Sequence, residues 1–269
     1  MSSRFLSRGA ENYDSYMGRW SRRLAPLFLD FAELAPGEHV IEIGCGTGSL
    51  SFVVPEHADV ARLEAIDYDA GFVAAARDRN SDPRIRIARG DACRLGFCDE
   101  EFDRALSMLV LHYVSDPQVA VAEMRRVVRP GGMAAATVWD TFGGMPTVRL
   151  FWDSAAAIEP SASERRSAAL LRPMTRPGEL SQAFARAGFI DIEETALVIR
   201  MEFANFDDYW IPTVTGQGMH AEFMTGLPAP TRERIENRVR AGYLCNRPDG
   251  PRSFASLAWA VRGVVPHSS

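Results

Sequence analysis

A glycine-rich turn behind an apolar run is the first stretch of the chain that could bind a ligand. The apolar residues of 40–43 predict a buried strand, and Gly44, Gly46 and Gly48 follow it directly. Glycines accept positive φ and leave no Cβ between a ligand and the backbone. Free amide groups at the start of a helix expected from Ser49 would attract a polar or anionic group. The turn is therefore a candidate ligand site.

An acidic residue lies at the end of the second predicted strand, and another comes just after the third. Asp67 ends the strand 62–67, about twenty residues past the glycines, where an acid meets a ribose in nucleotide-binding sheets. A carboxylate there can accept from both hydroxyls of a vicinal diol. Asp67 could instead cap the next helix, but Asp69 suits that role better. Asp91 follows the third predicted strand, where Asp beside Gly is also typical of a simple turn.

His112 is the candidate catalytic residue. It follows the predicted strand 103–108, and ligands of open parallel sheets bind at the carboxyl ends of the strands. A neutral imidazole at a pocket mouth can take a proton from a hydroxyl or amine nucleophile. The alternative is that His112 only packs or forms a hydrogen bond at the junction between strand and helix.

The pattern of elements predicts an α/β protein. The chain has 269 residues, enough for one such domain with insertions. Strands and helices alternate over 37–140. After residue 140 the chain is mainly helical, apart from two strands, 189–201 and 253–262, that would form an antiparallel pair. The predicted helices are 49–54, 70–79, 117–129, 148–158, 163–171 and 180–187, and the remaining strands are 85–89, 133–139, 189–201 and 253–262.

Several motifs resemble those of the class I methyltransferases that use S-adenosylmethionine (SAM). E-I-G-C-G-T-G at 42–48 resembles their first motif, whereas a dinucleotide fingerprint has its third glycine one residue later. G-D-A…L-G-F…F-D at 90–103 resembles a later motif, with Gly96 in place of the usual proline. L-V-L-H at 109–112 and E-M-R-R-V-V-R-P-G-G-M at 123–133 resemble two more. Y-x-x-Y-M-G-R-W-S-R at 13–22 and A-W-A-V-R-G at 258–263 resemble uncharacterised bacterial members of this family, of the small-molecule type.

The resemblance implies a Rossmann-like fold, with a mainly parallel seven-stranded sheet, helices on both faces and a helical lid. It implies one methyltransferase domain over 1–269. Its parts would be an N-terminal helical cap (1–36), a cofactor-binding core (37–140), lid insertions (141–178 and 203–252) and a terminal strand pair (189–201 and 253–262). The insertions could serve dimerisation instead.

SAM is the cofactor that the resemblance implies, with S-adenosylhomocysteine (SAH) as the product. The glycine turn would hold its amino-acid end, Asp67 its ribose, and Tyr68 and Asp91 its adenine. An N-terminal helix would close over it, or would merely pack on the sheet through its aromatic residues. The expected cofactor-binding residues are Glu42, Gly44, Cys45, Gly46, Gly48, Asp67, Tyr68, Asp91, Ala92, Ser107, Met108, Leu109, Tyr16 and Arg19.

Charge and composition argue against several partners. The net charge of −5, without a Lys/Arg-rich run, predicts no nucleic-acid partner. The longest apolar stretch, 105–114, is too short to span a bilayer, so no membrane partner is expected. Four cysteines form neither a C-x-x-C pair nor a cluster with zinc spacing, which predicts no metal and a reduced, cytoplasmic protein. A monomer and a homodimer are both open.

The sequence thus predicts transfer of a methyl group from SAM to a small molecule with an O, N or C nucleophile. The reaction would be an in-line displacement, for which proximity can supply most of the rate, so a base is not required. Two alternatives remain. One is a SAM-binding protein without catalysis; the other, disfavoured by the glycine spacing, is a nicotinamide-dependent oxidoreductase.

Overall fold

One sheet organises the chain, which a computed structural model describes for residues 9, 13–216 and 218–267. Its strands are β1 (His39–Ile43), β2 (Arg62–Asp67), β3 (Ile85–Arg89), β4 (Phe102–Met108), β5 (Val128–Trp139), β6 (Ile190–Phe203) and β7 (Arg252–Val264). They pair in the order β3-β2-β1-β4-β5-β7-β6. β1 to β5 are parallel, and β7 runs antiparallel to both β5 and β6. The predicted seven-stranded, mainly parallel sheet is confirmed.

Helices cover both faces of this sheet. A π-helical turn (Asp14–Gly18) leads into α1 (Arg19–Ala32), and a 3-10 turn (Leu111–Tyr113) follows β4. The other helices are α2 (Val54–His57), α3 (Ala70–Arg79), α4 (Pro117–Val127), α5 (Pro146–Ala156), α6 (Ala162–Leu170), α7 (Glu179–Ala187), α8 (Phe206–Thr215), α9 (Met219–Thr225) and α10 (Ala229–Leu244). Within the described ranges, every helix is too short or too polar to cross a bilayer.

Two apolar layers hold the helices on the sheet. One layer contains residues of α1, α3, α5, α8 and α10, and the other contains residues of α4 and α7. Successive side chains of β1 point to opposite faces, so Val40 packs in the first layer while Ile41 and Ile43 pack in the second. This burial on both faces explains why Val40 and Ile41 are adjacent apolar residues instead of alternating with polar ones.

The segment after the glycine turn differs from the prediction. A helix was expected from Ser49 to Val54, with Pro55 ending it, but residues 47–53 form hydrogen-bonded turns and α2 runs over Val54–His57. Pro55 lies in the first turn of α2. Proline is favoured there because its missing N–H would have no helical partner and its φ is already helical.

The later elements agree with the predictions apart from their ends. The predicted helix 117–129 ends at Val127, and β5 begins at Val128 instead of residue 133. The last two strands run to Phe203 and from Arg252 to Val264, slightly longer than predicted. The helix ending at Ala187 is closed by Gly188, whose φ of +87° is the left-handed conformation typical of a helix C-terminus.

Candidate active site

A cavity of about 690 Å³ opens where β1, β2 and β4 end. Because β1 lies between β2 and β4, the connections diverge at this point, and open α/β sheets bind ligands at such a switch point. One part of the lining, the sheet wall, comes from strand ends and the turns behind them. Another part, the helical wall, comes from the region after β5: Met145, Val148, Trp152, Arg172, Met219 and His220.

The glycine turn forms part of the sheet wall through Gly44, Cys45 and Gly46. Gly44 has a φ of +84°, and a Cβ there would overlap the Val110 side chain. Gly46 has a φ of +54° and nothing within 4 Å of an added Cβ. Gly48 does not line the cavity; its space is filled by the ring of Phe52. The turn therefore presents two glycines to the cavity, and the third shapes the chain behind it.

Asp67 ties the glycine turn to the end of β2. Its Oδ2 accepts from the Gly46 amide at 2.8 Å, and its Oδ1 accepts from the Asp69 amide at 2.9 Å. Burial raises the pKa of Asp67, while these two backbone donors act to lower it. Asp69 caps α3 by accepting from Gly71 and Phe72, as the sequence predicted. Asp67 lines the cavity and is free to serve a ligand with its remaining lone pairs.

Glu42 lines the cavity from the interior of β1 and is only 1% exposed. The Ser51 hydroxyl donates to its carboxylate at 2.5 Å. Burial raises the pKa of Glu42 to about 7, although the Ser51 hydrogen bond acts in the opposite direction. Burial also raises the pKa of the neighbouring Cys45 thiol, so Cys45 offers a neutral surface to the cavity.

Five further predicted cofactor residues line the same cavity: Tyr68, Asp91, Ala92, Met108 and Leu109. Asp91 also accepts from the Cys93 amide at 2.9 Å, so its turn-forming role is present as well. Leu109 has a φ of +64°, which is uncommon for a residue other than glycine and occurs at functional sites. Its amide donates to the carbonyl of Thr137 at 2.7 Å, which holds this turn against β5.

Besides Gly48, two predicted cofactor residues, Ser107 and Arg19, lie outside the cavity. Ser107 is fully buried, and its hydroxyl donates to the Ile43 carbonyl at 3.1 Å, which joins β4 to β1. The Arg19 guanidinium is ion-paired with Asp208 at 2.7 Å and stacks on the Trp20 ring at 4.3 Å. Tyr16, in contrast, does line the cavity.

His112 lies in the 3-10 turn after β4 and lines the cavity while only 4% exposed. Neither ring nitrogen has a hydrogen-bond partner among the described residues, so the predicted alternative of a junction hydrogen bond gains no support. Burial, with a smaller effect from the charge of Arg172, holds the pKa of His112 well below its usual range. A neutral imidazole is the form that can accept a proton.

The sequence did not single out the polar residues of the helical wall. His220 is 8% exposed, and its Nδ1 lies 3.1 Å from Tyr16 Oη. Burial, assisted by Arg172, lowers the pKa of His220 to about 3. The ring of Trp152 lies 5.1 Å from that of His220, and its indole nitrogen has no partner among the described residues. These positions become neighbours only through packing of the helices, so no local spacing could have indicated them.

A metal centre is not evident in this geometry. Across the described parts of the chain, no group of three or more His, Cys, Asp or Glu residues is arranged to hold a metal ion. The polar atoms around the cavity suit an organic ligand with hydrogen-bonding groups.

Known proteins match the chain in sequence. Residues 41–136 match the sequence family described as "Methyltransferase domain". An uncharacterised 37.1 kDa protein from a Streptomyces fradiae transposon is 30% identical over 226 residues, covering 83% of this chain and 59% of that protein. Demethylmenaquinone methyltransferase of Renibacterium salmoninarum is 34% identical over 131 residues, covering 48% of this chain and 53% of that enzyme. The chain thus spans little more than half the length of these curated relatives.

Solved structures share the fold. YcgJ protein of Bacillus subtilis matches with a TM-score of 0.58 at 17% identity, over 93% of this chain and 100% of that one. Phosphoethanolamine N-methyltransferase 2 of Haemonchus contortus, solved with SAM, matches with a TM-score of 0.60 at 17% identity. The match covers 96% of this chain and 57% of that one. The family, fold and cofactor predicted from the sequence are confirmed: residues 41–136 match the methyltransferase family, the chain has the fold of class I methyltransferases, and SAM is the cofactor of these enzymes.

Proposed function

We propose that this chain transfers a methyl group from SAM to a small-molecule acceptor by in-line displacement. The observation that carries the proposal is that one cavity is lined both by the glycine turn with Asp67 and by the neutral imidazoles of His112 and His220. The sheet wall, proposed to hold the cofactor, and the buried polar groups of His112 and His220 therefore face the same cavity. Two reactants could meet there without leaving the cavity.

The sheet wall would hold the cofactor. Gly46 leaves room for its amino-acid end, while the missing Cβ of Gly44 lets Val110 pack against the turn. The carboxylate of Asp67 suits the ribose diol. Glu42 would face the amino group, and a positive charge there would favour the ionised carboxylate. Tyr68, Asp91 and Ala92 line the part expected to hold adenine. SAM supplies an electrophilic methyl group on its sulfonium; the residues named here only bind and orient it.

The helical wall would hold the acceptor in a cavity shielded from water, as a lid does. His112 is proposed to accept the proton that the nucleophile loses. Among the relatives, a demethylmenaquinone methyltransferase and the malonyl-[acyl-carrier protein] O-methyltransferase of Serratia marcescens carry names of small or carrier-bound acceptors. The latter is 33% identical over 128 residues, covering 48% of each chain. These names support a small-molecule acceptor here.

Calorimetric titration with SAH tests the cofactor half of the proposal. The wild type should bind SAH, and Asp67→Asn should weaken binding at least tenfold, about 1.4 kcal/mol, because the ribose loses a charged acceptor. Asp59→Asn is the matched control: it removes the same charge from a carboxylate that is 89% exposed and outside the cavity. Equal loss in both variants, or no SAH binding at all, would contradict the proposal. Tighter binding of NAD than of SAH would favour the oxidoreductase alternative.

A further inference from the structure

Arg172 is the one Arg or Lys that lines the cavity within the described residues. It follows α6, and its guanidinium lies 4.3 Å from the centroid of the Tyr113 ring and 3.5 Å from the sulfur of Met219. No carboxylate within the described part of the chain lies within 4.0 Å of it as an ion-pair partner. Two other arginines near the site are ion-paired, Arg19 with Asp208 and Arg79 with Asp14.

The charge of Arg172 reaches the polar groups of the cavity. Burial is the larger cause of the lowered pKa of His112 and of His220, and the positive charge of Arg172 is the second cause. The same charge also acts to lower the pKa of Tyr16. Both imidazoles are consequently neutral, and Glu222 at the exposed rim forms no ion pair with Arg172. The helical wall therefore carries one positive charge that has no ion-pair partner among the described residues.

Several buried polar atoms around this charge also lack partners. Both nitrogens of His112, Nε2 of His220 and Nε1 of Trp152 have none among the described residues. Buried polar atoms are normally hydrogen-bonded, so such a group in a cavity indicates a ligand or water that completes it. The rings of Trp152, Tyr113 and Trp139 supply flat apolar surface in the same cavity.

We propose that the methyl acceptor is a small, flat carboxylic acid. Its carboxylate would bind the guanidinium of Arg172, and its ring would pack against the rings of Trp152, Tyr113 and Trp139. A guanidinium suits a carboxylate because its N–H groups can pair with both oxygens. One arginine balances a single negative charge, so a monoanion fits better than a phosphate dianion. This proposal rests on the proposed function.

In this proposal the carboxylate binds and orients the acceptor but takes no part in the bond changes. The acceptor's nucleophilic atom forms a bond to the methyl carbon, and the bond between that carbon and sulfur breaks. The bonding pair remains on sulfur, which yields SAH, and the proton of the nucleophile passes to His112. The carboxylate on Arg172 is unchanged.

The test measures binding of matched acids and amides to the full chain saturated with SAH. The probes are benzoate, salicylate and 4-hydroxybenzoate, each beside its neutral amide, titrated in a calorimeter at one ionic strength. In the wild type, at least one acid should bind ten or more times tighter than its amide. Arg172→Gln should reduce that preference below threefold and leave SAH affinity within threefold of wild type.

Arg176→Gln is the control, because it removes the same charge four residues later from a side chain that is 53% exposed and outside the cavity. It should keep the preference for acids. Equal binding of acids and amides, no binding of any acid, or stronger binding of inorganic phosphate would overturn the carboxylate proposal. If Arg172→Gln lost affinity for SAH, the guanidinium would belong to the cofactor site. The carboxylate proposal would then be overturned, but the proposed function would stand. Failure of the wild type to bind SAH would instead overturn the proposed function.

Discussion

The hydroxyl of Thr47 donates a hydrogen bond to Oδ1 of Asp14 at 2.6 Å, which joins the N-terminal segment to the glycine turn. Asp14 is also ion-paired with Arg79 of α3 at 2.5 Å and Arg22 of α1 at 3.5 Å. Thr47 is 3% exposed, so the contact is shielded from water. Tyr16 and Met17, just beyond Asp14, line the cavity. The segment is thus positioned over the proposed cofactor site by its contact with the turn itself.

Thr47→Val should weaken SAH binding about tenfold. Valine has nearly the same shape but cannot donate to Asp14, and a hydrogen bond to a charged acceptor contributes about 1.5–3 kcal/mol, part of which would be lost from the closed, ligand-bound form. Thr47→Ser keeps the hydroxyl and should bind SAH like the wild type. Calorimetry on the three proteins decides the point, and equal affinities for Val and Ser would show that the contact does not support the site.

Glu42→Gln should stabilise the ligand-free protein at pH 8 and leave its stability at pH 4.5 unchanged. The folded pKa of Glu42 is about 7 against 4.5 for the ordinary side chain, so the folded state binds more protons between these values. Stability from this group is therefore complete below pH 4.5 and is lost as the pH rises through 7. The difference at pH 8 should be about 3 kcal/mol.

Urea unfolding of the wild type and Glu42→Gln across pH 4.5–8 measures this effect. Glutamine can still accept from the Ser51 hydroxyl, so the hydrogen bond is preserved while the titration is removed. Parallel stability curves for the two proteins would contradict a raised pKa for Glu42.

Arg104→Met should destabilise the fold by about 3–5 kcal/mol, because it leaves Glu38, whose side chain is 12% exposed, as an unpaired and largely desolvated charge. The Arg104 guanidinium donates to Glu38 at 2.6 Å and to the carbonyls of Ala32 and Glu33 at 2.9 and 3.1 Å. It thereby fastens the end of α1 to β4. Denaturant unfolding measures the loss. The double variant Arg104→Met/Glu38→Met should recover part of it, and a double variant as unstable as the single would contradict this account.

The sheet wall could be predicted from the sequence because each of its parts follows a strand. Gly44 and Asp67 are brought together since β1 and β2 are parallel neighbours that end at the same edge. Local patterns of glycine, acid and apolar residues are sufficient for such a site. The same logic placed His112 correctly at the cavity, after β4.

The N-terminal segment was predicted to approach the site, but partly through the wrong side chain. Arg19 faces Asp208 and Trp20, whereas Asp14 makes the contact with the glycine turn. The π-helical turn over Asp14–Gly18 is one reason, since it changes the angular spacing of side chains before α1 begins. No propensity argument predicts that change. Arg172 and His220 were missed because their approach depends on packing of α9 against α5 and α6, from which it is distant in sequence.

The imidazole of His112 should remain neutral from pH 8 down to pH 5. Burial disfavours its charged form and the positive charge of Arg172 adds to the effect, so the pKa lies well below 6.5. Proton NMR of the ε1 resonances measures this directly, with the His112 signal assigned by its loss in His112→Asn. A chemical shift that titrates near pH 6.5 would mean that the ring is solvated in the ligand-free protein.

The same variant tests the proposed role of His112 in proton transfer. With an acceptor identified, His112→Asn should lower kcat roughly 100-fold, within the range for loss of a general base, while SAH affinity stays within threefold. Asparagine keeps hydrogen-bonding capacity but cannot accept a proton at neutral pH, so binding and proton transfer are separated. An unchanged kcat would show that His112 is not a general base. Positioning of the reactants would then account for the rate, as an in-line methyl transfer permits.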